Sequence, residues 1–223
     1  MTEPQRNTMT DQNANVMAKL KTATADLHTE AENRPMQRAL AKGTLPREQY
    51  VAYLGQLFLL HRTLEEVTDA ATSSHRAFAT VVRDYQRRTP ELRADLAEHG
   101  VDAEAVTPQP ATEAAMNEVR RRAGEDPVSI LGLTYVLEGS NNGSKYIARN
   151  LMKSYQLTPG KPGLSYFDPY GDEQMPRWLA FKADMDAVGF DEAEQETIID
   201  AAKAMFRMIA DISDEVDQPV ATA

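Results

Sequence analysis

The sequence contains no cysteine among its 223 residues. This absence excludes disulfide bonds, thiolate metal ligands and cysteine nucleophiles, and it favours a cytoplasmic protein, since disulfides are rare in that compartment. The chain also lacks an apolar run of the roughly 20 residues that a membrane-spanning helix requires. Its first residues, MTEPQRNTMTDQNANVM, have no apolar segment of the signal-peptide kind. We therefore expect a cytoplasmic protein without a membrane span.

Positive charge is also scarce, with 24 Lys and Arg residues against 34 Asp and Glu residues. The net charge is −10 and the pI is about 4.9. Nucleic acids and acidic membrane surfaces are unlikely partners for such a chain, because both attract basic proteins. The 11 glycines and 12 prolines are scattered, so no linker divides the chain. We predict one domain over residues 15–217, a disordered segment over 1–14 and a tail over 218–223.

No segment shows the alternation of a β-strand, and the sequence has no internal repeat. Apolar residues recur instead at steps of three and four, which predicts an all-α fold of about eight helices of unequal length. The first helix should be ended by Pro35, and later helices should be capped at Thr89, at Asp126-Pro127 and by Asp191 with Glu194. The predicted helices cover residues 15–33, 44–71, a short piece through Phe78 and Val82, 89–99, 111–123, 127–155, 173–188 and 191–216.

The most informative stretch is LGLTYVLEGSNNGSKYIARNL, residues 131–151. Helical spacing runs through it, although Gly139 and Gly143 interrupt the stretch one turn apart. One interpretation is a turn between two helices, since Asn142-Gly143 is a strong turn signal. The other is a single kinked helix whose glycines leave space for a flat ligand, and we favour it because the apolar spacing continues across them.

Among the four histidines, His28 and His61 lie beside apolar helix stripes, and each could simply be a hydrogen-bonded structural residue. His28 has a further feature, because Lys21 lies seven residues earlier on the same helix face, roughly 10 Å away along the axis. A neutral imidazole can bind iron, and the lysine could pair with an acidic group at the edge of a large ligand. Haem combines a central iron with carboxylates on one edge.

A carboxylate-bridged di-iron site is the alternative metal centre. Its ligands could be His28 or His61 together with Glu30, Glu32, Glu65, Glu66 and Glu138. Such sites in helical bundles usually contain Glu-x-x-His pairs, which this sequence lacks, and its Glu-Glu and Ala-Glu clusters are typical of solvated helix faces. The sequence also has no dinucleotide-binding glycine motif, no phosphate-binding loop and no nucleophile elbow.

Four segments resemble the haem oxygenases, and together they span about residues 17–215. LKTATADLHTEAEN (20–33) resembles their proximal helix, YVLEGSNNGSKYIARNL (135–151) resembles their distal helix, and AKAMF (202–206) resembles part of their last helix. The pattern formed by Tyr170-Gly171, Trp178 and Phe181 is similar to bacterial members.

The resemblance implies a single-domain, haem-oxygenase-like helical bundle with a kinked distal helix. It implies that haem is both cofactor and substrate, cleaved with dioxygen and electrons to biliverdin, carbon monoxide and ferrous iron. The electron donor would be a reductase or ferredoxin that the sequence does not identify. Two other functions stay open: a haem carrier on the same fold, and a non-haem iron oxidase. The thiaminase branch of the fold depends on a cysteine, which is absent here.

The resemblance also implies site residues. His28 would be the axial iron ligand, and Lys21 and Lys182 would face the haem carboxylates. Gly139, Asn142, Gly143 and His61 would form the dioxygen side of the site. The remaining haem contacts would be Tyr135, Ser140 and Phe206.

Overall fold

The structure, a computed structural model, describes residues 15–158 and 161–218. Within these ranges the chain forms nine α-helices and no β-strand, which confirms the all-α prediction. The predicted disordered segment 1–14 and residues 219–223 of the predicted tail lie outside the described residues. The helices are α1 (Val16–Glu32), α2 (Pro35–Lys42), α3 (Arg47–Ala71), α4 (Arg76–Val81), α5 (Thr89–Glu98), α6 (Pro110–Glu125), α7 (Ser129–Tyr155), α8 (Gln174–Ala187) and α9 (Glu192–Asp217).

Helix α7 is continuous through both glycines, so the interpretation of residues 139–143 as a turn is wrong. The apolar residues of this helix keep one face on the core, and that tertiary packing outweighs the roughly 1 kcal/mol that each glycine costs relative to alanine. The helix ends at Gln156, which adopts a left-handed conformation with φ of 56°. A bend at the glycines stays a prediction.

Several helix ends follow from local side-chain chemistry. The Asn15 side chain accepts the N–H of Ala18 and so caps α1, and Asp191 with Glu194 forms the predicted capping box of α9. Two predicted caps are wrong by one or two residues, because the N-cap of α5 is Arg88 and that of α7 is Val128.

Helix α2 is absent from the sequence prediction. Pro35 does not simply end α1; it is the first residue of α2, where its missing N–H costs nothing and its fixed φ suits a helix. Gly43, with φ of 68°, then ends α2 after only eight residues. So short a segment shows too little apolar periodicity to be recognised.

Helix α9 lies at the centre of the bundle, where Ile198, Met205 and Ile212 are fully buried. Helices α7 and α1 both pack along α9, and α3 packs against α5 and α6. Gly132 allows α7 and α9 to approach closely, because a Cβ at this position would lie 2.0 Å from the carbonyl oxygen of Ile198.

In the ranges that the structure describes, no helix is both long enough and apolar enough to span a bilayer.

Candidate functional site

His28 lies on the part of α1 that projects from the core, and its side chain is 56% exposed. Its ring meets the ring of Phe206 of α9 edge-on, with centroids 5.8 Å apart. The Nδ1 atom is 3.6 Å from a carboxylate oxygen of Glu32, one turn further along α1. A carboxylate beside one ring nitrogen orients an imidazole so that its other nitrogen can bind a metal. The Nε2 atom of His28 is therefore the candidate ligand atom.

Thr24 of α1 and Tyr135 of α7 are near one another, since a polar interaction with Thr24 partly offsets the rise in the pKa of Tyr135 caused by burial. The Thr24 hydroxyl donates its own hydrogen bond to the carbonyl of Leu20 at 2.8 Å. His28 follows Thr24 by one turn, and Gly139 follows Tyr135 by one turn, so each lies on the same helix face as the residue one turn before it. We refer to the haem site that the resemblance predicts beside His28, Phe206, Gly139 and Gly143 as the cleft.

The two glycines of the cleft have different surroundings. A Cβ at Gly143 would meet no atom within 4 Å, so this part of α7 presents bare backbone to open space. A Cβ at Gly139 would instead lie 3.4 Å from the indole ring of Trp178. Only Gly143 matches the open wall that the sequence predicts for both.

Trp178 of α8 belongs to an aromatic group beside the cleft. Its ring stacks on Phe181 at 5.6 Å and lies 5.8 Å from the ring of Tyr135. The ammonium of Lys182 lies 6.0 Å from the indole centroid. The motif that contains Trp178 pointed to this residue, but only the packing shows that it touches the predicted wall.

Ser140 and Asn142 are both exposed, and both bond to the backbone of their own helix. The Ser140 hydroxyl donates to the carbonyl of Leu137 at 2.7 Å, and the Asn142 amide donates to that of Gly139 at 3.0 Å. The Asn142 oxygen also accepts a bond from Gln174 of α8 at 3.3 Å. Asn142 thus links the glycine segment of α7 to the start of α8, whereas a role of Ser140 in ligand binding stays a prediction.

Lys21 of α1 and Lys182 of α8 are the cations that the resemblance assigns to the haem carboxylates. Lys21 is exposed and Lys182 is half-buried. Neither ammonium forms an ion pair within the described part of the chain, although 20 ion pairs occur there. Both cations are therefore available to an acidic ligand.

His61 does not border the cleft directly; it lies in the buried interior of α3, 4% exposed. Its Nε2 atom is 3.1 Å from the hydroxyl of Tyr166. Burial, reinforced by the nearby positive charge of Arg88, lowers the pKa of His61 to about 3, so its imidazole is neutral at physiological pH. His61 lines a cavity of about 50 Å³ together with Glu65, Glu138, Asn141 and Tyr166.

Glu138, unlike the exposed glutamates, is buried and only 5% exposed. Both carboxylate oxygens lie 3.0 Å from the hydroxyl of Tyr170, and the Arg88 guanidinium is 3.7 Å away. Burial raises the pKa of Glu138 to about 7, although Arg88 and the Tyr170 hydrogen bond act in the opposite direction. Sequence reasoning missed Arg88 and Tyr166 and named Tyr170 only within a motif, since Arg88 and Tyr170 reach Glu138, and Tyr166 reaches His61, from distant parts of the chain.

A di-iron centre finds no support in the same ranges. Residues 15–158 and 161–218 contain no group of three or more His, Asp or Glu side chains placed to hold a metal ion. Glu30, Glu32 and Glu66 are exposed, as predicted. Glu65 and Glu138 line the same cavity as His61, whereas Glu30, Glu32 and Glu66 lie on exposed helix faces.

The model of the family described as "Heme oxygenase" matches residues 14–215. The chain belongs to the haem oxygenase family. Among curated relatives, the haem oxygenase of Xanthomonas campestris is 28% identical over 171 residues, which cover 77% of this chain and 92% of the relative. Haem oxygenase 1 of a Nostoc species is 25% identical over 203 residues, covering 87% and 83% of the two chains.

Solved haem oxygenases share the fold. The haem complex of haem oxygenase-1 from Synechocystis superposes with a TM-score of 0.83 at 21% identity, covering 92% of this chain and 93% of that one. The enzyme from Leptospira interrogans gives the same TM-score at 19% identity, covering 91% and 100%. These similarities confirm the haem-oxygenase-like bundle that the sequence motifs predicted.

Proposed function

We propose that this protein is a haem oxygenase that binds haem in the cleft and cleaves it to biliverdin, carbon monoxide and ferrous iron. The observation that supports this most directly is the accessible His28 of α1, whose ring lies beside Phe206 of α9, together with the open backbone at Gly143 of α7. Family membership and the haem complex of the Synechocystis relative point to the same ligand.

The residues of the cleft fit haem. His28 offers an exposed imidazole whose Nδ1 faces Glu32, which leaves Nε2 for the iron. Phe206 supplies an apolar surface beside that ring, and Gly143 leaves room for a flat macrocycle against α7. Lys21 and Lys182 would bind the haem carboxylates through charge-assisted hydrogen bonds.

Bound haem would supply both the iron at which dioxygen is reduced and the carbon framework that is cleaved. Within this chain, His28 would hold the iron from one side and Glu32 would maintain the ring orientation of that histidine. Bare backbone at Gly143 would set how closely α7 approaches the ligand, and Asn142 would offer polar atoms at the rim of the same helix. The electrons would come from a separate reductase or ferredoxin.

The decisive experiment adds haem to the purified protein and then adds a reductant in air. We expect a Soret band of histidine-ligated haem that decays as a biliverdin absorption grows. His28→Ala should lose that spectrum, whereas the matched variant His75→Ala should keep it, because His75 caps the distant α4. An unchanged spectrum in His28→Ala would disprove the proposed ligation. A stable Soret band without biliverdin in the unmodified protein would instead favour the haem carrier.

A further inference from the structure

Trp178 is the only tryptophan of the chain, and it covers one end of the glycine-containing wall that α7 forms. A Cβ at Gly139 would lie 3.4 Å from the indole ring, whereas a Cβ at Gly143 would meet no atom within 4 Å. The two glycines lie about one turn apart on the same helix. The wall is therefore uneven, with an indole ring at one end and bare backbone at the other.

The indole ring is held from three sides. It stacks on Phe181, with the ring planes 13° apart and the centroids 5.6 Å apart, and Phe181 is itself only 1% exposed. The ring of Tyr135 lies 5.8 Å away on a second side, and the backbone of Gly139 closes the third. A large ring packed against a buried neighbour and a second helix has few other rotamers to adopt. A ligand in the cleft would therefore meet a fixed surface there.

The charge beside the indole indicates which part of haem would lie against it. Lys182 follows Trp178 by one turn of α8, and its ammonium is 6.0 Å from the indole centroid. Haem carries its carboxylates on one edge, and the other edges are apolar. Carboxylates paired with Lys182 would bring the neighbouring apolar edge of the ring against the indole, which offers a large apolar contact.

Rotation of a flat ligand in its own plane is the freedom that such a contact removes. His28 would hold only the iron, which lies on the rotation axis, so this bond leaves the ring free to turn. Lys182 is a point charge on a flexible stem, and it would fix one edge only loosely. Each in-plane position presents a different bridging carbon to the open backbone at Gly143. A rigid group at the ring edge is needed to make one position dominant.

We propose that Trp178 is a specificity-determining residue, which sets the in-plane orientation of haem and thereby selects the bridging carbon that is cleaved. The inference rests on the proposed function, because it names the residue that directs the cleavage. The indole beside Gly139 would exclude the ring from that end of the wall, and the bare backbone at Gly143 would leave room for dioxygen at the other. Phe181 and Tyr135 are positioning residues, since they act through Trp178.

The first test uses the unmodified protein and needs no turnover. Tryptophan emission comes from Trp178 alone, so its lifetime reports the distance from this indole to bound haem. With the cleft saturated with haem, the lifetime should fall from the nanosecond into the picosecond range, because energy transfer weakens steeply with distance. A lifetime that stays in the nanosecond range would place the indole away from the haem edge and overturn the inference.

The second test measures the orientation of haem directly. In proton NMR spectra of the ferric, cyanide-bound complex, the shifts of the haem methyl groups depend on how the ring is turned relative to the axial histidine. Trp178→Leu should change the pattern or add new sets of methyl signals, and Trp178→Phe should restore most of the original pattern. Phe58→Leu is the matched control, because Phe58 is a fully buried ring that packs against Arg62 and Arg93 on another side of the bundle. Methyl shifts that are the same in Trp178→Leu and the unmodified protein would overturn the inference.

The third test separates the biliverdin isomers formed on turnover. The unmodified protein should form one dominant isomer, and in Trp178→Leu the ratio of that isomer to the next should fall roughly tenfold. Phe58→Leu should keep the original ratio even where it is less stable. If the unmodified protein forms biliverdin and Trp178→Leu keeps the same ratio, the role of Trp178 alone is wrong, as it is if the unmodified protein itself forms a mixture. If the unmodified protein forms no biliverdin, the proposed function fails and the selection of a carbon with it.

Discussion

The polar groups on the two faces of helix α7 have opposite environments, one largely open and one buried. The cleft face, with Gly139, Asn142 and Gly143, is largely open and bonds mainly to its own backbone. The cavity face, with Glu138 and Asn141, is buried against groups from distant segments. Neighbours in sequence thus differ completely in environment, because one step along a helix turns a side chain by about 100°.

We therefore expect the cleft face to matter for haem binding and the cavity face to matter for folding stability. The cleft face leaves space unfilled, so few of its contacts contribute to the stability of the haem-free chain. The cavity face joins α7 to α3, to the segment before α5 and to residues 163–170, so its polar groups must be satisfied when the chain folds. Substitutions on the cavity side should therefore change stability most, and those on the cleft side should change haem binding most.

The largest effect should come from Asp95, which holds the segment that brings Tyr166 to the cavity. Its fully buried carboxylate accepts the N–H groups of Gly163, Ser165 and Tyr166 at 2.6, 2.9 and 2.8 Å. Asp95→Ala leaves these donors without their partner and should lower the free energy of unfolding by about 3–5 kcal/mol, measured in urea.

Asp102→Ala is the matched control, because Asp102 is exposed and accepts one N–H, that of Glu104. This variant should lose at most about 1 kcal/mol. Equal losses of unfolding free energy in the two variants would show that the buried cavity face contributes no more to stability than an exposed cap does.

Gly132→Ala should have the second-largest effect on the free energy of unfolding. A methyl group here would overlap the carbonyl of Ile198, whose position is set by the backbone of α9. Forcing the two helices apart should cost about 3 kcal/mol in unfolding free energy. A melting temperature equal to that of the unmodified protein would contradict the close approach of α7 and α9.

His61 should make stability depend on pH. Its pKa is about 3 when folded and 6.5 in the ordinary state, so the unfolded chain binds more protons between these values. The contribution of His61 to stability is therefore complete above pH 6.5 and is lost as pH falls toward 3. Relative to His61→Gln, the unmodified protein should lose about 2 kcal/mol by about pH 5. Parallel pH profiles from urea unfolding of the two proteins would show that His61 is not buried in its neutral form.

Reversing the charge of both lysines predicted to bind the haem carboxylates should weaken haem binding without unfolding the chain. Lys21→Glu with Lys182→Glu should raise the haem dissociation constant roughly tenfold at low salt, which corresponds to about 1.4 kcal/mol. The control is Lys42→Glu with Lys153→Glu, which changes the total charge by the same amount at helix ends outside the cleft. Equal losses in both variants would indicate a general charge effect.

Gly143→Ala should have the smallest effect on stability. It should also distinguish the roles of the two faces most clearly. The new methyl group meets no atom within 4 Å, so the haem-free protein should gain about 0.4–1 kcal/mol from reduced backbone entropy in the unfolded chain. Haem affinity or turnover should fall, because the methyl group projects where the flat ligand must lie. A variant that is stabilised and also binds and reacts normally would remove Gly143 from the site.

The sequence predicted the helices best where periodicity and caps agreed, as in α9 with Asp191 and Glu194. Helix α2 was missed because a proline and a glycine bracket only eight residues. His28 and Phe206 were predicted to lie at one site, and the structure brings their rings within 5.8 Å. The burial of Glu138 was not predicted, because its partners Arg88 and Tyr170 lie 50 and 32 residues away in the chain.

By itself the sequence determined the all-α class and the continuity of apolar spacing through α7, because each depends on interactions within a few residues. Only the tertiary structure decided that Trp178 covers Gly139 while Gly143 stays open, and that Glu138 is buried. The physical reason is that burial and close approach depend on which distant segment packs against a helix face. The local sequence around a carboxylate on α7 is the same whether water or Tyr170 lies beside it.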